Sequence, residues 1–265
     1  MIVKTIQQVA EMMGAPYELS HKDIVIQGVS IDSRKIEKGN LFVPLKGDHT
    51  DGHRYVETAF QNGAAASLWQ KDVPNPPEHF PIIMVDDTLE ALQRLAKVYR
   101  DELSIKVVGV TGSNGKTTTK DIISSLLSSR YRVQKTEGNY NNHIGLPLTL
   151  LSLKQDTEAA ILEMGMSSKG EIDFLTRMAR PDIAVITNIG EAHLLDLGSR
   201  EAIAEAKFEI INGLDKNGVL VYHGDEPLLE RLVQHTPHLT AKTFGESAKN
   251  DLYPTKIRQT NEGSR

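Results

Sequence analysis

The sequence predicts an α/β fold in two parts, a small α/β domain followed by a larger one built on a mostly parallel sheet. Three observations carry this. The 265 residues exceed the usual span of one core, so two domains are the natural expectation, with one large α/β domain as the alternative. From Lys106 onward, strand-like and helix-like runs alternate regularly. The first run of that series, "KVVGVT", leads through the Gly-punctuated turn "GSNG" into "KTTTK".

Taken in order, the opening "MIVKTIQQVAEMMGA" places Ile2, Ile6, Val9, Met12 and Met13 at helical spacing and lacks the continuous apolar core of a signal peptide. From Val25 to about Val85, the strand-like runs "IVIQGVSI", "LFVPL", "AAASLW" and "PIIMV" surround one helical pattern, His53 to Asn62. The Pro-rich "DVPNPPEHFP", Asp72 to Pro81, reads as a surface loop because a strand-like run follows it at once. Thr88 to Arg100 repeats apolar residues at Leu89, Leu92, Leu95, Ala96 and Tyr99, a linking helix. This places the domain boundary near residues 100–106, with domains at 1–102 and 103–265. Beyond it, strands are expected at Lys106–Thr111, Ala159–Met164, Ile183–Ile189 and Val219–Tyr222. Helices are expected at Lys116–Arg130, Glu171–Met178 and Arg200–Leu214. Strands this apolar are covered on both faces, and ligands of such sheets sit beyond the carboxyl ends of the strands.

Composition removes several function classes. A formal net charge of -5 and no clustered Lys and Arg argue against a general nucleic-acid binder. With no Cys there is no disulfide framework, thiol nucleophile or Cys-ligated zinc, which suits a reducing, cytoplasmic setting. No stretch approaches a membrane span. A monomer is the default expectation.

A strand that ends in a Gly-containing turn before Lys-Thr at a helix start aims backbone N–H groups and the positive helix end at one point. A phosphate is the natural occupant. The loop Thr111, Gly112, Ser113, Asn114, Gly115, Lys116, Thr117 and Thr118 is therefore a candidate nucleotide cradle. Lys116 would supply a point charge to the terminal phosphates, and the Thr117 hydroxyl would ligate the accompanying Mg²⁺. The P-loop pattern G-x-x-x-x-G-K-[ST] asks for Gly at position 110, where Val110 stands; the glycines fall at Gly109, Gly112 and Gly115, a variant spacing. The bland alternative is a Gly-rich βα turn that binds nothing.

Other strand ends add chemistry. "AAILEMG" runs apolar to Glu163, and "IAVITNIGEAHL" runs to a turn bearing Asn188, Glu191 and His193. Glu163 and His193 could bind a second Mg²⁺ on the phosphate rim; alternatively, the carboxylate faces solvent or caps a helix and the histidine is structural. In "SREAIAEAKFEIINGL", Ile203, Lys207, Ile210, Ile211 and Leu214 share one helical stripe, while Glu201, Glu205 and Glu209 point away. Lys207 thus sits on the apolar face. Either its stem packs while the ammonium reaches water, or desolvation lowers its pKa and leaves a neutral amine able to capture CO₂ as a carbamate.

Together these positions resemble the Mur ligase family, ATP-dependent amide-forming ligases of peptidoglycan precursor synthesis, and the resemblance covers nearly the whole chain. It implies that "TGSNGKTTT" binds ATP, that Glu163 and His193 bind Mg²⁺, and that Lys207 is carbamylated. Two Mg²⁺ ions are implied, with Thr117 on one and Glu163, His193 and modified Lys207 around the other. Lys116, His193 and Lys207 would then be the catalytic set. "GNYNNHIGLPLTLL", Gly138 to Leu151, is similar to the member that adds D-alanyl-D-alanine, and it lacks the Thr-Thr-Pro-like segment of the relative that adds the third amino acid. There Asn139, Asn141 and Asn142 could orient substrate oxygens, or simply form a turn. "VSIDSRKIEKGNLFVPLKGDHTDGHRYVETAFQNGAAA" resembles the family's UDP-binding domain, with Ser30, Asp32, Ser33 and Arg34 placed at the sugar nucleotide. In "TDGH", Asp51 could equally be a helix cap.

The resemblance implies an acceptor, UDP-N-acetylmuramoyl-tripeptide, whose terminal carboxylate ATP would activate for attack by D-alanyl-D-alanine. Family members are longer and carry a third, C-terminal domain of Rossmann type. Because the sequence stops at "DLYPTKIRQTNEGSR", the expectation is a fragment or truncation whose central domain is incomplete, with partial binding and no turnover alone. Two rivals stand beside it: a related ligase with another amino acid or folate as substrate, and a nucleotide-triggered binding module.

Overall fold

The structure, a computed structural model, describes residues 1–47, 50–256, 259–260 and 263–264. Asp48 and His49, inside the UDP-domain segment quoted above, and Ile257, Arg258, Asn261, Glu262 and Arg265 lie outside the described residues. Contacts divide the chain into two compact units, Met1–Ile105 with Thr136–Glu158, and Lys106–Lys135 with Ala159–Arg265.

The first unit opens with β1 (Val3–Thr5) and α1 (Ile6–Met13). The helical spacing seen from Ile2 is cut at Thr5, whose side chain accepts from the Gln8 N–H while the Gln8 side chain accepts from the Thr5 N–H, a capping box. Likewise "IVIQGVSI" is not one strand. Gly28, at φ +77°, turns the chain between β2 (Val25–Gln27), antiparallel to β1, and β3 (Val29–Ser30). Next come β4 (Leu41–Phe42), α2 (Val56–Gln61), β5 (Ala66–Gln70), β6 (Ile82–Val85) and α3 (Thr88–Glu102). Strands β3-β4-β5-β6 form a parallel sheet in that order, with Phe42, Val56, Ala59 and Trp69 as one core cluster. Helix α3 starts on the Asp87 cap and buries Ala91, Leu92, Leu95, Ala96 and Tyr99. Each fully buried Leu contributes about 1.5–3 kcal/mol relative to exposure, ample to fix that face inward.

The second unit begins with β7 (Lys106–Thr111), α4 (Lys116–Leu127) and β8 (Val133–Lys135). Residues 136–158 then group with the first unit and carry α5 (Gly145–Ser152). There the Ile2 N–H donates to the Leu151 carbonyl at 2.8 Å and the Tyr99 hydroxyl to the Leu153 carbonyl at 2.9 Å. The sequence reading assigned everything beyond residue 102 to the second domain; the apolar "GLPLTLL" instead buries Leu146, Pro147, Leu150 and Leu151 in the first unit, against α3. An apolar helix with no polar face needs such enclosure.

From Ala159 the second unit resumes with β9 (Ala159–Glu163), α6 (Glu171–Ala179), β10 (Ile183–Ile186), α7 (Leu194–Leu197) and α8 (Arg200–Phe208). It continues through β11 (Val219–His223), α9 (Pro227–Gln234) and β12 (Ala241–Phe244). All six strands are parallel, in the order β12-β11-β10-β7-β9-β8, as the βα rhythm predicts. Val108, Val110, Ile161 and Val185 form the core cluster, with Ile123 and Leu127 of α4 packed on it. The helix expected over Arg200–Leu214 tightens into a 3₁₀ turn at Glu209–Gly213. Because β7 lies between β9 and β10, β8 and β9 stand on one side of it and β10, β11 and β12 on the other, and the carboxyl ends of β7, β9 and β10 frame a switch point. Among the described residues, no helix is long and apolar enough to cross a membrane.

Candidate phosphate-binding site

The site grows from the end of β7. Gly115 stands at φ +78° as N-cap of α4, a left-handed conformation that costs an L side chain energy, and a Cβ there would meet nothing within 4 Å. Backbone geometry alone asks for glycine at this position, and the space over the helix N-terminus is open. Gly112, at φ +148°, is constrained by packing as well: a Cβ would collide with Thr187 Oγ1. Lys116 Nζ donates to the Gly112 carbonyl at 2.8 Å and reaches the Ser113 carbonyl at 3.4 Å. Burial pushes its ammonium below the usual lysine range, and the Glu163 charge opposes that shift. Thr117 Oγ1 donates to Glu163 Oε2 at 2.9 Å, and Glu163 is only 3 % exposed. Thr118 is exposed on the first turn of α4, whereas Thr111 is buried and its Oγ1 has no hydrogen-bond partner.

The loop after β10 holds the cradle from the side. The Ser113 N–H donates to the Asn188 carbonyl at 3.0 Å, and the Asn114 N–H to Asn188 Oδ1 at 2.9 Å. Thr187 Oγ1 donates to the Asn114 carbonyl at 2.6 Å, and the Gly190 N–H to Ser113 Oγ at 2.8 Å. Sequence reasoning marked Asn188 as a rim residue but missed Thr187 and Gly190. Only the pairing of β10 with β7, Ile186 opposite Thr111, places "TNIG" along the phosphate loop. The strand expected to run to Ile189 ends at Ile186 because Thr187 and Asn188 turn to this task.

Lys207 is 2 % exposed, so its ammonium does not snorkel to water. Burial and, second, the Lys116 charge push it down to about 8. Of the glutamates expected to point away, Glu205 pairs with Lys169 at 3.1 Å, while Glu209 accepts the N–H groups of Gly170 and Asp173 at the start of α6. His193 adopts φ +69° at the head of α7, with Nδ1 3.5 Å from Asp196 Oδ2, three residues beyond Gly190. The structure thus joins Thr117 to Glu163 directly and brings both Glu163 and Lys207 within electrostatic reach of Lys116. Among the described residues, no three His, Asp or Glu side chains assemble as a metal cluster. The donor set at Thr117 and Glu163 is hard oxygen, which fits Mg²⁺, and the open N-terminus of α4 fits a phosphate.

In the first unit, Arg34 grips Asp32 through Nε and Nη2, each at 2.9 Å, and this pairing holds the Asp32 carboxyl at about 2. Ser30 Oγ accepts the Asp32 N–H, and Ser33 is buried, its carbonyl accepting from Asn62 Nδ2 at 2.8 Å. Asp51 caps the turn at Gly52–Tyr55 and lies 2.6 Å from His53 Nδ1. Since His53 Nε2 accepts the Gln70 N–H, Nδ1 carries the proton that Asp51 receives. Asn142 Oδ1 accepts from the Ile144 and Gly145 N–H groups and so forms the start of α5, and the Asn139 carbonyl accepts the Asn141 N–H. Asn139, Asn141 and Asn142 all group with this first unit.

Known proteins share this architecture. The family described as Mur ligase middle domain matches residues 110–265, and that described as Mur ligase family, catalytic domain, matches residues 25–100. The UDP-N-acetylmuramoyl-tripeptide--D-alanyl-D-alanine ligase of Bacillus subtilis (strain 168) is 57% identical over 265 residues, all of this chain and 57% of the relative. Crystal structure I of MurF from Acinetobacter baumannii superposes with a TM-score of 0.87 at 31% identity, covering 100% of this chain and 60% of that one. MurF ligase from Thermotoga maritima in complex with ADP gives a TM-score of 0.80 at 35% identity, over 90% of this chain and 54% of that one. The chain therefore spans a little over half the length of these relatives. A glycine-rich loop at a sheet switch point and two matching family domains lead to one assignment: this chain belongs to the Mur ligase family.

Proposed function

We propose that the chain is the sugar-nucleotide- and ATP-binding part of a ligase that joins D-alanyl-D-alanine to UDP-N-acetylmuramoyl-tripeptide. The observation that carries this reading is the Lys116, Thr117 and Glu163 cluster, with buried Lys207 beside Lys116. ATP supplies the phosphoryl group that converts the tripeptide's terminal carboxylate into an acyl phosphate, an electrophile that the dipeptide's amine attacks with loss of phosphate. The chain's residues bind and orient. N–H groups at the start of α4 donate to phosphate oxygens, and Lys116 leaves its loop carbonyls to neutralise the terminal phosphate. Thr117 would hold one Mg²⁺, and Glu163, His193 and a carbamylated Lys207 would hold a second.

The case for the carbamate is electrostatic. Lys207 and Lys116 repel as two cations, and a depressed pKa enlarges the neutral-amine fraction at Lys207. The ammonium first loses one proton; the neutral amine's lone pair then bonds the carbon of CO₂ and a second proton leaves, so a buried positive charge is replaced by a negative one facing Lys116. In the first unit, Arg34 meets the pyrophosphate and Asp32 a hydroxyl or uracil N–H, with Ser30 and Ser33 beside them; Asn139 and Asn141 add neutral contacts. The cytoplasm and a monomer are the setting this reading assumes.

Calorimetry tests it. Binding of both Mg–ADP and UDP-N-acetylmuramoyl-tripeptide is expected. Nucleotide binding with no affinity for the UDP-sugar peptide would favour a phosphate-loop switch without ligation. In the longer relative, phosphate release should require both the tripeptide and D-alanyl-D-alanine.

A further inference from the structure

We propose that Arg200 is a positioning residue for the phosphate loop, acting through the single peptide plane between Ile189 and Gly190. Arg200 begins α8, and its Nη2 donates to the Ile189 carbonyl at 3.0 Å and to Glu226 Oε2 at 2.8 Å. Ile189 C=O and Gly190 N–H belong to the same peptide unit. In a trans unit these two groups point in opposite directions, and no peptide bond among the described residues is cis. The plane is therefore gripped on both edges: Arg200 holds its carbonyl, and Ser113 Oγ receives its N–H at 2.8 Å. Rotation of that plane cannot move one contact without moving the other.

The remaining contacts make this a chain of constraint. Glu226 is 9 % exposed and also accepts the Leu228 N–H at the head of α9, so the carboxylate that anchors Arg200 is itself fixed. On the other side, Ser113 also donates its N–H to Asn188, the residue before the gripped plane. A Cβ on Gly190 would lie 3.2 Å from Ser113 Cβ, so the two loops already touch. Lys207 stands about two turns further along α8, so one helix fixes both the cradle's flank and the buried amine. An ordinary half-exposed ion pair would leave loop geometry and nucleotide affinity untouched. The planar guanidinium, donating to a carbonyl and a carboxylate, makes loop geometry depend on Arg200.

The inference rests on the nucleotide-binding reading for its consequence, and its test has one arm that does not. Amide exchange of Gly190, read by NMR without nucleotide, should quicken in Arg200→Met while the melting transition stays cooperative. Mg–ADP affinity should fall about tenfold. Arg200→Lys should recover part of the loss. Ser113→Ala should weaken Mg–ADP to a similar degree, and the double variant should be no worse than the weaker single, because both act through one plane. Wild-type exchange at Gly190 in Arg200→Met, or strictly additive losses, would overturn the proposal. Should Arg200→Met fail to fold, Glu226→Gln carries the same two measurements and the same criteria. A wild-type chain that does not bind Mg–ADP would defeat the ligase reading, and the exchange arm would still decide whether Arg200 holds the loop.

Discussion

Thr117 Oγ1 donates to Glu163 Oε2 across 2.9 Å, tying the first turn of α4 to the carboxyl end of β9. Glu163→Gln keeps the shape and removes the charge. It should weaken Mg²⁺-dependent ADP binding about 10- to 100-fold while leaving binding in EDTA near wild type. Calorimetry with and without Mg²⁺ checks this; an unchanged Mg²⁺ dependence would remove Glu163 from the metal site.

Lys207 should carry a carbamate in bicarbonate buffer. A ¹³C carbamate resonance is expected with labelled bicarbonate and should vanish in Lys207→Met. Persistence of the resonance in that variant would move the modification to another amine. In the longer relative, the same substitution should abolish ligation.

The two loop glycines should differ. Gly112→Ala drives a methyl into Thr187 Oγ1, which donates to the Asn114 carbonyl, whereas Gly115→Ala meets only backbone strain. Strain of this kind costs of order 1–3 kcal/mol. Urea denaturation should therefore show the larger loss for Gly112→Ala; equal losses would mean that Thr187 yields freely.

Asp32 gives a pH dependence. Its folded pKa lies near 2, below the usual 3.8, because Arg34 pairs with it. The unfolded chain binds the proton more readily, so the contribution is fully present above about 3.8 and fades as pH falls through about 2. With the Arg34 side chain 85% exposed, the effect should be under about 1 kcal/mol. Asp32→Asn should be less stable than wild type at pH 6, and the gap should close near pH 2. A gap that persists there would assign the effect to the turn's backbone hydrogen bonds.

Much of the second unit was legible because its signals are local. A β-branched run, two glycines and Lys-Thr mark a candidate phosphate loop within a dozen residues, and the period of α8 puts Lys207 on the apolar face, leaving open whether its ammonium is buried or reaches water. Thr187, Gly190, Arg200 and Glu226 were hidden because their role depends on strand order: β10 must lie beside β7 for "TNIG" to run along the loop. Strands β8 and β12 are three and four residues long at the two sheet edges, too short for a periodic signal. Asn142 shows how two readings of one residue stay open in the sequence. The substrate role suggested for it competes with a turn, and its Oδ1 is committed to two backbone N–H groups.

The return of residues 136–158 to the first unit bears on the order in which the chain can mature. A ribosome releases β7, α4 and β8 before it has made α5, so the amino-terminal core cannot close while only its first 105 residues exist. Until then the apolar side of α3 that α5 later shields waits uncovered, an invitation to chaperones or to aggregation. A fragment cut at Ile105 should accordingly behave as a sticky, loosely packed intermediate, and adding back a peptide spanning 136–158 should restore its compactness.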